Sequence, residues 1–173
     1  NNFLDVRNQI HKNDYRPLGE VAKWIEARSN EKEVIFLDDW SLFPVSFFYN
    51  HKNVYAMGME PGELLNYSPK LYWRWYNIRN YAYYCNEEKD CEEEFKSVND
   101  QYKNLDKDQK EKEAKENSRK IIGSIKNDFG SRFIISNSLR LNGVLSLNAD
   151  LIQESFEAKS EFTGSTKKAF ELK

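Results

Sequence analysis

The chain has 173 residues, with 26 Lys+Arg against 28 Asp+Glu and a formal net charge of −2. That length suits one domain over residues 1–173, and the balanced charge excludes an extended basic nucleic-acid surface. Aromatics at 14% exclude wholesale disorder, while no stretch reaches the roughly 20 apolar residues of a membrane helix.

Asn1-Asn2-Phe3 opens without Met and without an apolar h-region, so the sequence reads as a mature or trimmed fragment. The first element is a helix over 17–28. Pro17 suits a first helical turn, and Leu18, Val21, Ala22 and Ile25 form one apolar stripe, with Trp24 beside it. Val34-Ile35-Phe36-Leu37 is a short continuous apolar run, the pattern of a strand covered on both faces. Ser41 and Pro44 start a second helix that carries Val45, Phe47, Phe48 and Tyr49. Val54-Tyr55-Ala56-Met57 is a second strand, ended by Gly58. Strand–helix–strand at this spacing predicts a parallel pair with a right-handed crossover.

Pro61-Gly62 reads as a turn, and Ser68-Pro69 starts a helix with Leu71, Trp75 and Ile78 on one face. From 87 to 120, 21 of 34 residues are charged, 12 acidic and 9 basic. Apart from Cys91, the only apolar residues of that run are Phe95, Val98, Tyr102, Leu105 and Ala114. Pairs such as Glu111/Lys115 and Glu116/Lys120 predict a solvated helix laced with ion pairs. Ile121, Ile122 and Ile125 dock its end on the core, and Gly130 closes it. Phe133-Ile134-Ile135 is a third strand, the leucines at 139–147 form a short helix, 151–161 reads equally as strand or helix, and 169–172 closes as a strand. The expected fold is α/β: a small three-layer α/β/α-like domain, with a mostly parallel sheet of about four strands and a charged helical insertion.

Open α/β sheets bind ligands beyond the carboxyl ends of their strands. Asp38, Asp39 and Trp40 stand there if 34–37 is a strand, and Glu60 stands near the same edge after 54–57. Two acids could hold a cation or a sugar hydroxyl, with Trp40 stacking on the sugar. Alternatively one Asp caps the next helix and Trp40 packs. Tyr72, Trp73, Trp75, Tyr76, Tyr81, Tyr83 and Tyr84 are too dense for one buried stripe, so some rings, Trp73 among the ligand candidates, face a second surface. Cys85 and Cys91 form a short-loop disulfide outside the cytosol and two free thiols inside it. His11 and His51 are scattered, which argues against a zinc site. No GxGxxG, GxxxxGK[ST], GxSxG or HExxH motif is present, so no cofactor is implied.

The order of segments from Tyr15 to Leu172 resembles the soluble C-terminal extracytoplasmic domain of polytopic membrane glycosyltransferases. These are the dolichyl- or undecaprenyl-phosphate-sugar-dependent enzymes of the GT-C type, mannosyltransferase-like proteins among them. The resemblance rests on the opening helix, Val34-Ile35-Phe36-Leu37-Asp38-Asp39-Trp40, and Val54-Tyr55-Ala56-Met57-Gly58-Met59-Glu60-Pro61. It continues through Tyr67-Ser68-Pro69-Lys70-Leu71-Tyr72, the late helix–strand at 121–135 and the strand at 169–172. It omits 87–120.

The resemblance implies a periplasmic or cell-surface location, membrane anchoring in the full-length protein and an oxidised Cys85/Cys91 pair. It also implies a catalytic acid outside this fragment, so no catalytic residue is assigned here. The fragment is then an accessory domain. Its partners are the membrane-spanning part of its own chain and a glycan or protein acceptor. A second reading is a carbohydrate- or peptide-binding module using exposed aromatics with Asp38, Asp39 and Glu60. A third is a small enzyme holding a divalent metal on those three acids.

Overall fold

The structure is a computed structural model that describes residues 14–58 and 60–173. Asn1-Asn2-Phe3, His11 and Met59 of the Gly58–Pro61 turn lie outside the described residues.

Helix α1 (Arg16–Glu26) buries Leu18, Val21, Ala22 and Ile25, the stripe that its spacing dictates. Strand β1 (Val34–Leu37) follows, then a single 3-10 turn (Trp40–Leu42), helix α2 (Phe43–Tyr49) and strand β2 (Val54–Tyr55). Next come α3 (Pro61–Tyr67), α4 (Pro69–Tyr81), α5 (Glu92–Lys103) and α6 (Lys107–Asn127). The chain ends with β3 (Ser131–Ser136), α7 (Leu139–Leu145), a 3-10 segment (Ser146–Leu151), β4 (Ile152–Lys159) and β5 (Thr166–Leu172).

The strands form one five-stranded sheet in the order β2-β1-β3-β5-β4. β2, β1 and β3 are parallel, with Ile35 opposite Tyr55 and Phe133. β5 runs antiparallel to both β3 and β4. The sheet is therefore mixed, with one strand more than the hydrophobic runs announce. The extra strand is β4, whose residues are mostly exposed. An edge strand with few buried positions leaves little periodicity to read.

Alternation along the strands feeds two cores, which makes the fold a three-layer α/β/α sandwich. Phe36, Ile134 and Phe170 face Trp75, Ile78, Ile121, Ile125 and Leu141 of α4, α6 and α7. Ile35, Leu37, Phe133, Ile135 and Ala169 face Leu18, Val21 and Ile25 of α1, with Phe43 and Val45 at the margin. Ser131 bridges a register shift in β1, where its hydroxyl accepts the Phe36 N–H at 2.9 Å and sits 2.8 Å from the Val34 carbonyl.

Three local expectations change. Pro61-Gly62 opens helix α3 instead of forming a turn, with Pro61 in the first helical turn. The strand at 54–57 pairs only over Val54–Tyr55, and Met57 instead turns into the core. The charged run is two helices, because Asp106 starts a new one: its carboxylate accepts the Gln109 N–H while the Gln109 side chain accepts the Asp106 N–H.

Candidate functional site

β1 and β3 are parallel neighbours. The connection leaving β1 packs with α1 on one face of the sheet, whereas the helices that lead into β3 pack on the other. This divergence places the β1 and β3 carboxyl ends at the position where open α/β sheets take ligands. Asp38 sits there, 1% exposed. Its carboxylate accepts the Ser136 hydroxyl at 2.6 Å, the Asn137 N–H at 3.0 Å and the Ser138 N–H at 3.0 Å. These donors stitch the loop after β3 to the end of β1. Burial pushes the carboxyl up to about 6, against the opposing pull of the same donors. The chemistry of this acid is spent inside the fold.

The neighbouring candidates have separate tasks. Asp39 accepts the Ser41 N–H at 2.9 Å, capping the 3-10 turn, and lies 3.7 Å from the Arg79 guanidinium. Trp40 is 40% exposed and free to meet a ligand or a partner. Glu60 follows β2 and is exposed; its carbonyl accepts the Glu63 N–H at 3.0 Å, and its carboxylate has no hydrogen-bond or ion-pair partner among the described residues. Trp73 is half-buried on α4 and packs edge-on against Tyr72 and Tyr76, at 5.0 and 5.3 Å. Thus Asp38 and Asp39 share the edge, whereas Trp73 belongs to a ring cluster with Tyr72 and Tyr76 on α4.

Cys85 and Cys91 form a disulfide. The loop between them is anchored by Asn77, which donates to the Lys89 carbonyl at 2.9 Å and accepts the Cys91 N–H at 3.0 Å. With Glu94, the two sulfurs make the one candidate ligand cluster among the described residues, its atoms lying within 4.8 Å of one another. Bonded to each other, those sulfurs are not thiolates and do not hold a metal in this form.

Beside the disulfide lies an open groove of about 290 Å³, walled by α5, α6, α7 and the end of α4. Tyr81, Tyr83, Phe95 and Tyr102 line it, with Glu113 and Arg140 among its polar groups. Phe95 stacks on Tyr81 at 5.3 Å and meets Tyr83 at 5.9 Å. The Tyr83 hydroxyl donates to Glu94 at 2.6 Å, and that of Tyr81 to Asp90 at 3.0 Å. Burial first, then these carboxylates, push both phenols above their ordinary range and keep them neutral. The groove was not expected from the sequence. The available signal was Phe95, Val98 and Tyr102 at i, i+3 and i+7 within the charged run, an apolar stripe on an otherwise solvated helix.

Among the described residues no helix is long and apolar enough to cross a membrane. No family profile matches the chain, and neither a curated protein nor a solved structure matches it.

Proposed function

We propose that this chain is the extracytoplasmic accessory domain of a membrane glycosyltransferase-like protein and that it works by binding, without turnover of its own. The Cys85–Cys91 disulfide carries the reading, because such bonds persist in oxidising compartments and are rare in reducing ones. The engagement of Asp38 with Ser136, Asn137 and Ser138 supports it, since an acid occupied in this way serves the fold. The membrane-spanning part of the same chain is the neighbour that the segment order implies. Alkylation of the full-length protein in intact cells, without prior reduction, tests the location. Mass spectrometry should find Cys85 and Cys91 unlabelled until a reductant is added. Two thiols that label at once remove the extracytoplasmic reading.

The ring-lined groove favours one refinement, a carbohydrate- or peptide-binding role. Aromatic walls with a few polar groups are the usual make-up of small-ligand pockets, and here Tyr102 and Phe95 stand in place of the Asp38 edge as the contact surface. Titrating glycan and peptide panels while following Phe95 and Tyr102 ring resonances tests it. A binding response that Tyr102→Ala abolishes supports the role, and silence from both panels ends it.

A further inference from the structure

We infer that the cavity between α4 and α6 is an oxyanion site that takes a phosphoryl group. This cavity, about 370 Å³, is separate from the ring-lined groove. Helical spacing builds it. Lys70 and Arg74 stand one turn apart on α4, and Lys120, Gly123, Ser124 and Asn127 share one face of α6. Three cations (Lys70, Arg74 and Lys120) line it against a single acid, Asp128.

Arg74 is the built part of the site. It is 4% exposed, and a guanidinium is held this far from water only by designed partners. One terminal nitrogen donates to Asp128 at 2.7 Å and to the Tyr84 hydroxyl at 3.1 Å, with Ser124 Oγ at 3.5 Å. The other donates to Asn86 at 3.2 Å. A guanidinium has five N–H donors. The Nε–H and one hydrogen of the second nitrogen have no partner among the described residues. Asp128 and Asn86 thus hold the fork in place and leave donors unspent, the arrangement that suits an oxyanion.

The flanking residues fit the same ligand. Lys70 is exposed with no ion-pair partner among the described residues. Lys120 reaches Glu116 one turn back at 2.8 Å, a solvated pair that a stronger anion can displace. Gly123 sits inside the long α6 helix, where a Cβ would meet nothing within 4 Å. Packing does not call for a glycine there, and glycine is a poor helix residue. Its effect is to leave the cavity floor open. A phosphomonoester carries close to two negative charges near neutral pH, which matches three cations offset by one acid better than a single carboxylate does. The volume leaves room for a ring-sized substituent on the phosphoryl group.

The test is equilibrium binding on the intact protein with three probes: inorganic phosphate, a hexose 6-phosphate, and phosphatidylcholine vesicles containing phosphatidic acid. Lys70→Glu reverses an exposed charge, and Gly123→Glu plugs the floor with a residue that helices tolerate. Each variant should retain the wild-type circular dichroism spectrum and weaken binding by about tenfold or more. Binding of the soluble phosphates alone assigns the site to a soluble ligand. Vesicle binding alone, sensitive to both substitutions, assigns it to a lipid headgroup. No binding of any probe, or binding that both folded variants retain undiminished, overturns the proposal. None of these outcomes depends on the compartment in which the domain resides.

Discussion

The carboxyl edge of the sheet and the seam between α4 and α6 each bury one charge, and they treat it in opposite ways. Asp38 is 1% exposed and is met by neutral donors alone, the Ser136 hydroxyl and the Asn137 and Ser138 N–H groups. Arg74 is 4% exposed and faces the Asp128 carboxylate at 2.7 Å. A charge met by dipoles can give up its ionisation, so the edge responds to pH. A guanidinium stays ionised at any pH that a protein survives, so the seam responds to the removal of a partner. The lesson is that burial alone does not tell whether a charge acts as a titrating group or as a fixed strut; the partner does.

Removing the strut should have the largest effect. Arg74→Met leaves Asp128 without its cation and removes the guanidinium donors that the Tyr84 and Asn86 oxygens accept. Breaking a buried pair by deleting one partner costs about 3–5 kcal/mol. Asp128 keeps a quarter of its side chain in water, so the expected loss is near the lower end, about 3 kcal/mol. Urea denaturation measures it. A loss under about 1 kcal/mol would erase the contrast between the two regions.

The edge should reveal itself through pH. The folded Asp38 carboxyl titrates at about 6, above its ordinary 3.8. Between those values the folded state holds a proton that the unfolded chain has released, so this group's contribution to stability falls as pH rises from about 4 to about 6. A shift of roughly two units corresponds to at most about 3 kcal/mol. Asp38→Asn keeps an oxygen to accept the Ser136 and Ser138 donors and cannot ionise. Subtracting its stability profile from that of the wild type should leave a step between pH 4 and 6. A flat difference means that the donors outweigh burial.

The disulfide sharpens the comparison on the seam side, because its loop carries Asn86, an acceptor for Arg74. The closed loop is short, with a sequence separation of 6. Chain-entropy arguments give about 2 kcal/mol for such a loop. The Cys85→Ser, Cys91→Ser double variant should lose that much under non-reducing conditions. Wild type treated with reductant should match it.

What the sequence reveals follows the range of the interactions. The stripe of Leu18, Val21, Ala22 and Ile25 gives α1 within a residue or two, because helical periodicity is local. The pairs Glu111/Lys115 and Glu116/Lys120 form as their spacing indicates. The parallel β1/β2 unit follows from strand–helix–strand order. The partners of Asp38 do not follow, since Ser136 lies 98 positions away and joins it only when β3 takes the place beside β1. Arg74 finds Asp128 across 54 positions for the same reason. The groove stays hidden because its walls come from separate segments, Tyr81 from the end of α4, Phe95 and Tyr102 from α5 and Arg140 from α7, and a charge-rich run draws attention to its solvated face. Asp38 and Asp39 follow directly on β1, which the apolar run 34–37 makes legible, but that Asp38 is the acid tied into the fold depends on the loop after β3.

The smallest expected effect separates the two adjacent acids at the edge. Asp39 makes a local contact, accepting the Ser41 N–H at 2.9 Å two residues on, with Arg79 at 3.7 Å. Cap acceptors of this kind contribute about 1 kcal/mol, and a half-exposed pair at that distance adds little. Asp39→Ala should therefore lower stability by about 1 kcal/mol and leave the step between pH 4 and 6 in place, since that step belongs to Asp38. If Asp39→Ala instead removed the step, the repulsion between the two neighbouring carboxylates, not burial among the β3 loop donors, would be its source, because that repulsion is the one influence Asp39 exerts on Asp38. Thermal melts of the two single variants across that pH range distinguish the alternatives.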